Sequence, residues 1–583
     1  GHFRANYHRQ EVIGALLTFI SSSRMEEVDA GLGVLLLLVC THYAVMQPFS
    51  SFLMGILDDM VSMPPAQVRK VYHVFAVLGF ARDANNAGAH CAQGLKDELH
   101  MMVNKQISHM DPKYKAIGYI GMAQLLACAE CDPRAELQRM PLAAATSGTT
   151  SVSRTQDREP CLGYGLQAQL QQILGHCFNS VGHAGGALPH MYDELATVLA
   201  DRHVDSALLK SMAEKVAAEF QSQFLADIPM ADPEGLPEDG GAAASFRRQR
   251  VLYQLEEDCE VSIRAAPLHG SESPARSWSL FSLFRLMQIC ERRLNDGSVA
   301  GLRPVLACPV LCCDLQVLDD LSQFQALPAT DRDLALLTGL FVVNWWIEVL
   351  NGFADDMPSA PFLLQRLHHI CQLETKLDRA MSVHSSFTPD AIRSLLGLIG
   401  ALAPEAPKRP GEALLLFRKQ KQKPKPAASQ VDAEEDRPNP EAVGPTTTDL
   451  GLPHLGRFQE LVRPLGQPTA LQLLKLALSA PALSWSSVHV LLRDVDRKLR
   501  APLRPFGSPQ GPQCAPQYLP LVLAHIPLLC RLFQRALEGL QEDSPSQSDE
   551  LVPSRDFLDA SLVLMLAIFA NALGGVNPKA AEA

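Results

Sequence analysis

The sequence predicts an all-α fold, an α-solenoid of HEAT-like helical repeats joined by disordered linkers. Three observations carry this. Hydrophobic residues make up 47% of the 583-residue chain but aromatics only 6%, a Leu- and Ala-rich mixture that suits helix-on-helix packing better than sheets. Apolar residues recur at helical spacing in one segment after another. The connections between the first of these segments are short, as in arrays where each helical pair packs on its neighbours. No sharp repeat consensus is present, so the assignment rests on helix spacing.

Taken in order, Val12, Ile13, Leu16, Leu17 and Ile20 place a helix over residues 9–21. Residues 29–41 are apolar nearly all round, which marks a central helix. A helix over 51–61 is followed by Ser62-Met63-Pro64-Pro65, where Ser62 can cap and the prolines fit a first turn. The next helix, 66–80, carries Val68, Val71, Val74, Phe75 and Leu78 on one face. Helices over 92–106 and 113–128 complete the first stretch. Further helices are predicted over 166–200, 206–224, 277–293, 332–353, 362–381 and 389–402, and after a long linker over 455–462, 469–478, 484–499, 519–540 and 557–573. No strand-length alternation with hairpin turn signals is seen. The apolar runs 33–40 and 562–573 are shorter than the roughly 20 residues that cross a bilayer and read as core helices.

Composition divides the chain into a helical segment 1–140, a linker 141–165, helical repeats 166–403 with an internal loop near 229–244, a long linker 404–453, and further helices over 454–583. The linkers are rich in Pro, Ala, Ser, Thr and Gly and bury too little apolar surface to offset chain entropy. The opening Gly1-His2-Phe3-Arg4, without methionine and followed at once by a helix, reads as the interior of a longer protein.

The net charge of −12 excludes a chain built overall as a nucleic-acid-binding polycation, so any DNA contact must come from a local basic patch. The 14 cysteines are scattered and read as reduced, small buried residues. Cys128-x-x-Cys131 has no second CxxC or HxxxH at a useful distance, so no metal site is assigned. His368-His369 reads as a surface or capping pair, and Asp58-Asp59 and Asp355-Asp356 as solvated acids near helix ends. No nucleotide-binding loop, zinc-protease motif, nucleophile elbow or kinase signature is found, and no cofactor is expected. The chain is therefore read as non-enzymatic.

The long linker carries Arg418, Lys419, Lys421, Lys423 and Lys425, followed by Asp432, Glu434, Glu435 and Asp436. A basic run of this kind is a DNA-contact candidate through phosphate attraction, or an ordinary solvated tail or nuclear-import address. Thr155, Ser429 and Ser546, each followed by Gln within a linker, are candidate phosphorylation sites.

The segment from His2 through Tyr7-His8-Arg9-Gln10-Glu11-Val12-Ile13-Gly14 resembles the Fanconi anaemia (Fanconi anemia) group D2 family. So do Val28-Asp29-Ala30, Gly55-Ile56-Leu57-Asp58, and Lys105-Gln106-Ile107-Ser108 leading to Lys113-Tyr114-Lys115-Ala116-Ile117-Gly118. The likeness covers the first 130 residues most fully, continues near 280–380 and fades after 400. It implies a nuclear scaffold of interstrand-crosslink repair that pairs with the paralogous Fanconi anaemia group I protein as a heterodimer. Ubiquitin added to one lysine by the Fanconi core ligase and its E2, and removed by a deubiquitinase, would lock that dimer as a clamp on double-stranded DNA. The acceptor carries over to Lys115, with Lys113 as runner-up. Asp111-Pro112 departs from the family locally, yet fits a helix start, with Asp111 at the N-cap and Pro112 at the first helical position. The helix dipole there disfavours a charged ammonium. Ile117, Ile120, Gly121 and Leu125 form the expected packed face, and Lys115 is expected off it, facing a groove or partner. A generic helical-repeat adaptor without a DNA role is the alternative reading.

Overall fold

The apolar spacing produces helices where it is densest, and each helix buries its stripe against the next. In this computed structural model the described residues are 6–81, 89–129, 131–133, 136, 164–180, 182, 185–228, 242–256, 259–265, 274–396, 454–458, 461–466, 469–479, 485–500, 519–541 and 561–569. Helix α1 (Asn6–Ile20) turns Ile13 and Ile20 onto α2 (Met25–Thr41). Residues 43–62, expected to hold one helix, run instead as short turns, Tyr43–Met46, Gln47–Phe49, Ser50–Leu53 and Met54–Ser62. Pro48 removes a ladder donor and Gly55 weakens helix propensity, so no continuous helix forms.

Helices α3 (Pro65–Phe80), α4 (Ala89–Ile107) and α5 (Pro112–Ala127) follow close to the predicted positions. The single helix expected over 166–200 is two, α6 (Tyr164–Asn179) and α7 (Leu188–Asp201). The break carries Gly182, Gly185 and Gly186, with Gly185 at φ 53°, a conformation an L side chain disfavours. The chain continues through α8 (Ser206–Phe224), α9 (Leu280–Leu294), α10 (Ala329–Phe353), α11 (Ala360–Val383) and α12 (Pro389–Leu396), then α13 (Thr469–Ser479), α14 (Trp485–Arg500) and α15 (Ile526–Gln541). Contacts pass along the array: α2 to α3, α3 to α5, α5 to α7, α7 to α9, α9 to α10, α10 to α11, α11 to α14. One continuous cluster of buried side chains runs from Ile13 to Ile568. The all-α, solenoid-like class is thus as the sequence predicts.

Strands were not expected, and a small four-stranded sheet is present. Leu225–Asp227 (β1), Arg250–Leu252 (β2), Val261–Arg264 (β3) and Val310–Cys312 (β4) lie in the order β1-β3-β4-β2. β1 pairs antiparallel with β3, β4 antiparallel with β2, and β3 parallel with β4. Strands of three or four residues are too short to display alternation, and β4 is buried throughout, so its sequence reads like core helix. Arg366 of α11 fastens this sheet. Its buried guanidinium donates to the carbonyls of Leu306, Cys308 and Tyr253 and lies over the Trp346 ring. Burial lowers its pKa to about 10, with nearby Cys308 and Cys259 opposing that shift.

Helix α10 is long and apolar enough to span a bilayer, but 89% of its most apolar window is enclosed by the rest of the chain, as in a core helix. Trp345 packs on Phe284 at 4.7 Å between ring centres, and Trp346 meets Tyr253 edge-on, also at 4.7 Å. The adjacent histidines diverge: His368 is exposed and contacts Gln372, whereas His369 tilts against Tyr253 and Trp346. Asp356 is not simply solvated, since Arg303 grips both its oxygens at 2.9 and 2.7 Å.

Of the expected linkers, 404–453 lies outside the described residues, as does 141–163, whereas Tyr164 and Gly165 already begin α6. Within the loop near 229–244, Ala242 already starts the short helix Ala242–Arg247. Beyond the long linker the chain docks back on the array. Asn344 donates to the Leu461 carbonyl at 3.0 Å and accepts from the Arg463 backbone N–H. The Arg463 guanidinium spans Asp193 of α7, at 2.7 and 2.8 Å, and Glu348 of α10, at 2.6 Å. Glu348 is 3% exposed at its side chain, so removing the arginine strands a buried carboxylate. Arg463→Ala should therefore cost about 3–5 kcal/mol by chemical denaturation. Arg24→Ala, which breaks surface pairs with Glu26 and Glu27 made by a well-exposed arginine, should stay within about 0.5 kcal/mol.

Candidate modification site

Helix α5 starts as its sequence dictates. Asp111 is the N-cap, its side chain accepting from the Lys113 backbone N–H at 2.8 Å, and Pro112 occupies the first turn. The Lys115 N–H donates to the Asp111 carbonyl at 3.2 Å, closing that turn. Just before it, His109 stacks on Tyr114 at 4.3 Å between ring centres, and Ser108 lies 3.0 Å from His176 of α6. Met110, in the same connection, is exposed.

The expectation that Lys115 lies off the packed face is not met. Its residue exposure is 5%, while Lys113 is half-buried. The reason is that α5 has no free face. Residues 115–123, Leu125 and Leu126 are all buried, enclosed by α3, α4, α6 and α7. Lys115 shares a side of the helix with Gly118 and Tyr119, three and four residues on. Tyr119 is buried with its hydroxyl 3.4 Å from Ser180. At Gly118 a Cβ would sit 2.8 Å from the Ile107 backbone nitrogen, and at Gly121 one would sit 2.7 Å from the Tyr72 ring. These two glycines let α4 and α3 approach α5 to backbone range, and that approach encloses the lysine. Burial lowers the Lys115 pKa, which favours the neutral amine that a nucleophile requires.

A second group lies at the other end of α5 and was not foreseen. Cys128, the C-cap, is fully buried, and its carbonyl accepts from the Cys131 backbone N–H at 3.1 Å, which places Cys131 in the next turn. Beside them is Glu136, 1% exposed. It accepts from Arg202, whose Nη2 lies 2.6 Å from Oε2 and whose Nη1 contacts Oε1, and it meets His73 Nε2 at 2.9 Å. Burial alone would raise the Glu136 pKa, but His73 and Arg202 outweigh it and hold the carboxyl at about 2. Only the Cys-x-x-Cys spacing was visible in the sequence. His73 stands 55 positions from Cys128 on a separate helix, with no motif linking them.

The DNA-contact candidates Arg418, Lys419, Lys421, Lys423 and Lys425, and the phosphorylation candidates Thr155, Ser429 and Ser546, lie outside the described residues.

A family model described as "Fanconi anaemia protein FancD2 nuclease" matches residues 2–394. The chain belongs to this Fanconi anaemia family. The Fanconi anemia group D2 protein homolog of Rattus norvegicus is 29% identical over 411 residues, and that of Mus musculus 28% over 404. The Fanconi anemia group D2 protein of Gallus gallus is 25% identical over 414 residues. Each match covers 66% of this chain and 26% of the relative, so the chain matches about a quarter of the length of these relatives. Within the Fanconi anaemia match lie Lys115, the whole of α5 and the Cys128 group, whereas the Arg463 segment lies beyond the family-model boundary.

The close approach at Gly118 fixes the sign of a substitution. In an open helix, Gly→Ala stabilises by about 0.5–1 kcal/mol. Gly14 of α1 has nothing within 4 Å of its would-be Cβ, and Gly14→Ala should raise the thermal midpoint. Gly118→Ala meets backbone that cannot rotate away and should cost about 1–3 kcal/mol, lowering the midpoint in the same assay.

Proposed function

We propose that this chain is a non-enzymatic, ubiquitin-regulated scaffold of the Fanconi anaemia DNA-repair pathway, with Lys115 as its acceptor. The observation that carries the reading is a lysine held in the first turn of an Asp111-Pro112-capped helix, enclosed by its neighbours, within the family-matched region. The chemistry is amine attack on a thioester. The neutral Nζ attacks the ubiquitin carbonyl carried by the E2, an N–C bond forms, the C–S bond breaks, the thiolate leaves, and Nζ gives up a proton. Desolvation makes the ammonium less favourable at this buried position.

Enclosure also makes the reaction conditional. An amine under a helical array meets a bulky thioester only after the surrounding residues open, so modification would respond to whatever opens them. In this reading the opening accompanies pairing with the Fanconi anaemia group I protein and loading on double-stranded DNA. The Fanconi core ligase and its E2 then add ubiquitin, a deubiquitinase removes it, and the modified heterodimer stays closed on DNA during interstrand-crosslink repair in the nucleus. The net charge of −12 assigns DNA attraction to local basic elements, for which the run from Arg418 to Lys425 is the candidate. Thr155, Ser429 and Ser546 would add negative charge in response to damage kinases.

Reconstitution with the group I partner, ligase, E2 and double-stranded DNA tests the assignment. Lys115→Arg should lose the single-ubiquitin product, while Lys113→Arg retains most of it. Continued modification of the Lys115→Arg chain would move the site elsewhere.

A further inference from the structure

At the C-terminal end of α5, we propose a structural zinc site formed by His73, Cys128, Cys131 and Glu136. Three of the donor atoms, on His73, Cys128 and Glu136, lie within 4.8 Å of one another. The fourth would come from Cys131, half-buried three residues beyond Cys128. The Cys131 backbone N–H donates to the Cys128 carbonyl at 3.1 Å, so the two thiols project from one tight turn. Sulfur, imidazole nitrogen and carboxylate oxygen are the donors zinc takes in closed four-coordinate sites.

An ion pair accounts for only part of this arrangement. Arg202 and His73 satisfy Glu136, but nothing in that pairing requires two thiols to converge beside it. Metal binding uses all four groups. His73, whose Nε2–H donates to Glu136 without metal, gives up that proton to solvent, keeps or takes its ring proton on Nδ1, and presents the Nε2 lone pair to the metal. Glu136 Oε2 becomes a ligand, and Oε1 keeps its contact with Arg202. The two thiols lose their protons to solvent as their sulfurs bind. Two thiolates then balance the divalent ion, and Arg202 balances Glu136, so the buried group carries no net charge. Arg202 thereby becomes the outer partner that orients a ligand, a role in which loss typically weakens metal binding about 10–100-fold.

The ion would join the chain leaving α5 to α3, on the helix that carries Lys115. The inference stands apart from the acceptor assignment, because metal content is read without any ubiquitin chemistry.

The test uses the full chain, purified under reducing conditions without a metal-affinity tag. Plasma mass spectrometry should find about one zinc per chain. Cobalt(II) added to the chelator-stripped protein should give the thiolate charge-transfer and tetrahedral ligand-field bands. Both signals should vanish in the Cys128→Ser/Cys131→Ser double variant and persist in Cys371→Ser, which alters a buried cysteine elsewhere. Wild-type protein without bound zinc and without the tetrahedral cobalt spectrum would overturn the proposal. So would zinc retained by the double variant. Because the wild-type measurement decides alone, poor folding of the double variant does not rescue the claim.

Discussion

Gly118 and Gly121 set how closely three helices can meet, and the rest of the first half of the molecule follows from that approach. Without a Cβ at these positions, the end of α4 and the Tyr72 face of α3 reach the α5 backbone. The helix is then enclosed on every side rather than along one stripe. A lysine in its first turn is covered together with its apolar neighbours, and its charge becomes costly. The burial that suits Lys115 to nucleophilic attack is thus a by-product of packing geometry. The same enclosure hides the amine, so reactivity and access oppose one another in the closed array.

The second half is organised by buried charge. Arg366 satisfies its guanidinium on backbone carbonyls and so fixes a sheet of very short strands to α11. Arg463 gathers Asp193 and Glu348 from two helices and holds the returning chain on them. Hydrophobic burial is non-directional and would tolerate several registers of helix on helix. Hydrogen-bonded charges buried among the helices tolerate few, because each unpaired alternative strands an ion in low dielectric. Solenoid units that contact only their neighbours gain a definite geometry from such long-range pins.

Most of the helical pattern was legible in the sequence because 3.6-residue spacing survives wherever a helix buries one stripe, as in residues 206–224, and because Asp111-Pro112 is a start signal read from local chemistry alone. What failed had non-local causes. Lys115 was placed outside the core because the stripe of Ile117, Ile120 and Leu125 was visible, whereas the helices covering the other sides were not. The three-residue strands gave no alternation to detect. Glycines 182, 185 and 186 broke an amphipathic run that periodicity alone had carried through to residue 200. In sequence Cys128 and Cys131 stand as a lone pair, because His73 and Glu136 meet Cys128 only through the fold.

One enclosed lysine, and not its more accessible neighbour, is expected to receive ubiquitin. Tryptic mapping of the modified wild-type chain, reading the Gly-Gly remnant by tandem mass spectrometry, tests it most directly. The remnant should fall on Lys115 as the dominant site, with Lys113 unmodified. A remnant found chiefly on Lys113, or on a lysine outside α5, would contradict it.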